Sequence, residues 1–115
     1  MIATSACGEP FIDPLPPRES IHFPVGMTVH PSGSFLYVVN SNFDTRYRED
    51  VGGTVSVVDL ATFKVIPEAT PYIASFAADI ELNADASKAY VSARLDNQLL
   101  ALDVDPFGGG LSCNG

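Results

Sequence analysis

Along residues 24–107 short apolar runs follow one another, each closed by Pro, Gly, Asn, Asp or Ser. Such clusters of β-branched and aromatic residues between turn formers predict strands rather than helices. The first strand is expected at Met27–His30 and ends in the turn Pro31-Ser32-Gly33. Phe35–Asn40 and Thr54–Leu60 follow, and Lys64–Pro67 is a candidate fourth strand. Ile80–Asn83, Lys88–Ala93 and Gln98–Val104 form a second group. Within Thr54–Leu60, Val55 and Val57 point one way, Ser56 and Val58 the other. Phe35–Val39 and Leu99–Leu102 are nearly continuous apolar runs, as expected of strands covered on both faces.

The two groups are copies of one pattern. Val29 falls on Leu82, Ser32 on Asp85, Ser34 on Ser87, Tyr37 on Tyr90 and Val38 on Val91, always 53 residues apart. Asp59 falls on Asp103 at an offset of 44, so the first copy carries nine extra residues in the connection between its second and third strands. A period of about 40–50 residues with several strands per unit marks a propeller blade or a similar array.

Pro31-Ser-Gly-Ser-Phe-Leu-Tyr-Val-Val-Asn40 followed by Thr54-Val-Ser-Val-Val-Asp-Leu-Ala-Thr62 resembles the YVTN repeat of YVTN/lactonase-like β-propellers. The resemblance spans residues 24–107. It implies an all-β chain holding two blades of such a propeller, an incomplete ring, with three to four antiparallel strands per blade. Residues 24–76 are expected to form the first blade and 77–115 a partial second one. The second lacks a convincing outer strand, because 108–115 is too rich in glycine to pair well. Two blades leave large apolar faces uncovered. The chain is therefore expected to be a fragment of a longer propeller, or else to assemble from several copies, and to need further blades as partners.

Composition narrows the class. Of 115 residues, 46% are hydrophobic and 17% charged, which excludes disorder driven by charge. The net charge of −8 repels phosphate backbones and argues against nucleic acid as a partner. Five of the nine prolines lie in residues 1–24, so residues 1–23 read as an irregular, extended tether. Thr4-Ser5-Ala6-Cys7-Gly8 is similar to the end of a bacterial lipoprotein signal, which makes Cys7 a candidate for lipidation and the outer membrane a candidate location. A disulfide between Cys7 and Cys113 is the competing reading.

The insertion Ser41–Gly53 is the segment expected to bind a ligand, a protein or a small molecule. It combines Phe43 and Tyr47 with Arg46 and Arg48, the residue types that dominate recognition surfaces. Its charges could equally pair with one another in water. His30 sits where the second copy has Asn83, which suggests a turn-stabilising role. Asp59 and Asp103 suggest carboxylates that accept backbone amides at strand ends. No catalytic triad pattern, metal-ligand spacing or phosphate loop is present, and no cofactor is expected. The family resemblance implies a non-catalytic interaction or scaffold module of an exported bacterial protein, in the periplasm or at the cell surface. Part of a propeller enzyme of lactonase or quinoprotein type is the alternative.

Overall fold

A computed structural model describes Cys7 and residues 15–41, 51–94 and 97–113. These build two antiparallel sheets in sequence, with no closed ring. The first blade comprises β1 (Pro24–Val29), β2 (Phe35–Asn40), β3 (Gly53–Asp59) and β4 (Lys64–Val65), paired in that order. A single 3-10 turn at Pro67–Ala69 interrupts its outer edge, and β5 (Tyr72–Ile73) then returns to the start of β3. The expected fourth strand at Lys64–Pro67 is thus shorter. Pro67 cannot donate to the ladder, and Pro71 breaks the chain again before β5. The second blade comprises β6 (Ala77–Leu82), β7 (Lys88–Ala93), β8 (Gln98–Val104) and β9 (Leu111–Cys113), again in order.

The last strand is a correction to the sequence reading. Leu111, Ser112 and Cys113 pair with Val104, Asp103 and Leu102. The glycines precede the strand and form its turn. Gly109 takes left-handed backbone (φ +70°), and a side chain there would collide with the Phe35 ring.

The repeat extends to backbone detail. Each inner strand opens with a β-bulge, between Pro24 and Gly26 and between Ala77 and Asp79. Phe23 and Phe76, just before them, share a left-handed conformation (φ +45° and +58°). The Phe23 carbonyl accepts the Ser41 amide, as the Phe76 carbonyl accepts that of Arg94, both at 3.1 Å. Each pair of contacts is 53 residues apart, so the sequence period is a true structural period.

The core lies between the blades. Tyr37, Val39, Val55 and Val57 share one face of the first blade and are fully buried. They pack in one cluster with Ile80, Ala89, Val91, Leu100, Leu102 and Val104 of the second. β1 and β2 lie against β6. Gly26 allows this approach: a side chain there would meet the Ala78 carbonyl at 2.8 Å. The Tyr37 hydroxyl crosses the junction and donates to the Gly109 carbonyl at 2.7 Å. Burial, with the Asp105 carboxylate nearby, pushes the Tyr37 phenol up to about 12.

The segment 15–23 has no strand, as its prolines predict, but it is packed rather than free. Cys7 is buried in the core between the blades and bonded to Cys113, with Cα atoms 5.4 Å apart. Arg18 donates to the Thr70 carbonyl at 2.9 Å and lies over the Tyr72 ring. His22 then reaches Asn40 and Thr54. The segment therefore crosses the outer edge of the first blade like a belt before entering β1.

Candidate functional site

Turn chemistry uses most of the polar side chains singled out in the sequence. The His30 Nδ1 accepts the Ser32 amide at 3.0 Å, and Ser32 Oγ accepts the Ser34 amide at 3.2 Å. In the second blade the Asn83 side chain accepts the Lys88 amide at 2.9 Å, and Asp85 accepts the Ser87 amide and hydroxyl at 3.1 and 2.7 Å. The Ser87 hydroxyl and amide hold the Asp85 carboxyl below its usual range. His30 and Asn83 thus both serve their turns, as their repeat positions suggest, although the His30 ring accepts the amide two residues on and Asn83 the amide five residues on. Asp59 accepts the Ala61 amide at 2.9 Å. Asp103 does not follow it: it pairs with Lys88, and Asp105 takes the turn role by accepting the Phe107 amide at 3.0 Å. The second strand group simply runs on to Val104 before turning.

The insertion Ser41–Gly53 leaves the blade beside the link to the next blade. Ser75, in that link, donates to the Val51 carbonyl at 2.5 Å. Both ends of the insertion belong to the fold: Ser41, Val51 and Gly53 are buried, and Gly53 pairs with Ile73. The binding candidates Phe43, Arg46, Tyr47 and Arg48 lie outside the described residues.

One polar cluster was not anticipated. On the first-blade face opposite Tyr37, Asn40 donates to Thr54 Oγ1 at 2.9 Å and to Ser56 Oγ at 2.7 Å. Its carbonyl oxygen accepts the His22 amide at 3.1 Å, and Thr54 Oγ1 lies 3.2 Å from His22 Nε2. Asn40, Thr54 and Ser56 are fully buried. Burial lowers the His22 pKa below 6.5 and favours the neutral ring. The repeat equivalents of Asn40 and Ser56 are the apolar Ala93 and Leu100, so a blade does not need these two groups, while Thr54 is matched by the polar Gln98. The signal was therefore present as a polar-for-apolar difference between the copies. Its meaning depended on the belt, whose path periodicity does not reveal. Among the described residues no three His, Cys, Asp or Glu side chains are grouped as metal ligands. None of the described helices is long and apolar enough to cross a membrane.

Cys7 is the one candidate site residue that is described, and its sulfur is joined to Cys113. That bond and a lipid thioether need the same sulfur valence, so one molecule cannot carry both.

No curated protein and no solved structure matches the chain. A family model described as "Lactonase, 7-bladed beta-propeller" matches residues 24–115. That range begins at the first residue of β1 and takes in both blades. With its two bulged antiparallel sheets, of five and four strands, stacked face to face, the chain belongs to this seven-bladed β-propeller lactonase family.

Proposed function

We propose that the chain is a non-catalytic interaction and scaffold module of an exported bacterial protein, acting with further propeller blades. The observation that carries this reading is the use of its polar side chains. His22, His30, Asn40, Asp59, Asn83 and Asp85 all serve turns, the belt or the packing of one blade. Residues 42–50 remain the proposed binding segment, through Phe43, Arg46, Tyr47 and Arg48. The described residues that flank them, Val51 and Gly53, are held at the end of the blade where the blade-to-blade link runs. The Cys7–Cys113 bond supports an oxidising compartment, the periplasm or the cell surface. A lipid anchor on Cys7 is the competing form at the outer membrane.

The test is excision of residues 42–50, with Ser41, Val51 and Gly53 kept. A photo-crosslinker at Tyr47 of the parent chain should label a partner from envelope extract, and the excised protein should fold but lose that partner. Undiminished capture would reduce the loop to a connector. The family's description favours a second reading, a lactone-hydrolysing enzyme that draws its active site from several blades. Turnover of simple γ- or δ-lactones by the longest natural form of the chain would decide for it.

A further inference from the structure

The junction inside the chain shows how one blade receives its neighbour. Tyr37, Val39, Val55 and Val57 of the first blade pack in one cluster with Ile80, Val91, Leu100 and Leu102 of the second. The turn before β9 takes part, because Gly109 lies so close to the Phe35 ring that any side chain there would collide with it. A seven-bladed ring repeats this contact from blade to blade, and its last blade closes on the equivalent face of the first.

That face of the first blade departs from the pattern at three positions. Asn40 stands for Ala93 and Ser56 for Leu100, so two apolar positions are polar. Phe63 stands for Gly109: both have left-handed backbone (φ +60° and +70°), and their amides bond to the Asp59 and Asp105 carbonyls. A phenylalanine where the internal junction leaves no room for a Cβ bars a blade from docking there in the same way. The β2–β3 half of the face is also filled already. Val38 and Val58 are buried, as are Asn40, Thr54 and Ser56, and Asn40 accepts the His22 amide from the belt. What stays open on this side is apolar. Met27 and Val29 of β1 pair with Val38 and Leu36, share their face, and are 67% and 53% exposed. Their equivalents, Ile80 and Leu82, lie in or against the core. On the belt, Ile21 and Phe23 flank His22 and are 46% and 45% exposed.

We propose that the belt is a cap on which the propeller ring closes: the last blade rests on β1 directly and on Ile21 and Phe23 of the belt, and never reaches the β2–β3 half of the face. Met27 and Val29 are then covered as Ile80 and Leu82 are, while Ile21 and Phe23 supply the apolar surface that Asn40 and Ser56 do not. Terminal repeats need such caps because their outer face has no neighbour of the ordinary kind. The belt is a fixed part of this junction, not a placeholder. The Cys7–Cys113 bond, the Arg18 hydrogen bond to Thr70 and the His22 contacts with Asn40 and Thr54 hold it in three places. The inference rests on the reading above that further blades act with the chain, and it names the residues that the last of them meets.

The test places a photo-crosslinking amino acid at Ile21, and separately at Met27, in the longest natural form of the chain. Both positions are exposed, so neither replacement disturbs the two-blade core. Each should give an adduct within the same chain, mapped by mass spectrometry to its last Tyr-Val repeat. Trypsin cleavage at Arg18 should be several-fold slower in that form than in residues 1–115 alone. Ile21→Glu combined with Phe23→Glu should abolish the difference. An adduct from Met27 without one from Ile21, or faster cleavage at Arg18, means that the last blade displaces the belt, and overturns the proposal. So does an Ile21 adduct with a separate protein only, or no adduct from either position. The 42–50 excision leaves the belt in place, so loss of partner capture there and absence of the adduct here are separate results.

Discussion

Tyr37 shows how much one side chain contributes to a blade junction. Replacing it by Phe leaves the Gly109 carbonyl buried without its donor, at a cost of about 1–3 kcal/mol. The phenol also ties stability to alkaline pH. Its folded pKa is raised to about 12, so its contribution is complete below 10 and is lost as pH rises from 10 through 12. Chemical denaturation of the parent and Tyr37→Phe across that range should show the difference between them shrinking. An unchanged gap would remove this assignment. His22 acts in the opposite range. Burial lowers its pKa, so the unfolded chain binds its proton more readily, and the contribution of His22 is present above 6.5 and lost as pH falls below it. His22→Gln should flatten the acid limb of a stability–pH curve. Gly109→Ala meets both the left-handed backbone and the Phe35 ring, and should lower stability by more than 1 kcal/mol, about the cost of backbone strain alone.

Among the elements, the belt and β9 are coupled. The Cys7–Cys113 bond closes a separation of 106 residues, and chain-entropy arguments assign such a bridge about 2–5 kcal/mol. The double variant Cys7→Ser with Cys113→Ser should show that loss in denaturant unfolding. It should also become more sensitive to trypsin at Arg18, whose contacts with Thr70 and Tyr72 lie along the belt. If cleavage at Arg18 is equally slow in both proteins, the belt is held by its local contacts without the bridge. The glycines at 108–110 read as a reason against an outer strand, yet they build the turn that precedes one. Composition identified a weak strand former. Pairing with β8 and the covalent tie to Cys7 outweigh that local weakness.

At the level of the whole molecule, two stacked blades and a bridged belt form one core with an open face on the second blade, where Tyr90 is 36% and Leu99 70% exposed. Such faces on an isolated chain favour association. Association should therefore respond to Leu99→Glu far more than to a surface change such as Glu19→Lys on the belt. Light scattering during heating reads this directly. Equal aggregation of the two variants would mean that the Tyr90–Leu99 face is not the sticky one.

The alternation of apolar and polar residues, the turn formers and the 53-residue offset determined that the chain is all-β, that it has two repeats, and where seven of the nine strands among the described residues lie to within a few residues. These are local properties, encoded by neighbours along the chain. The equivalence of His30 with Asn83 was legible for the same reason, since each acts within its own turn. Three other features became visible only in three dimensions. The Tyr37–Gly109 bond joins residues 72 apart, the Cys7–Cys113 bridge joins residues 106 apart, and the Asn40 cluster has meaning only because His22 lies over it. Each depends on which surfaces meet when the blades stack and the belt wraps. Periodicity carries no record of that, because the same Tyr occupies the buried junction at 37 and the open face at 90.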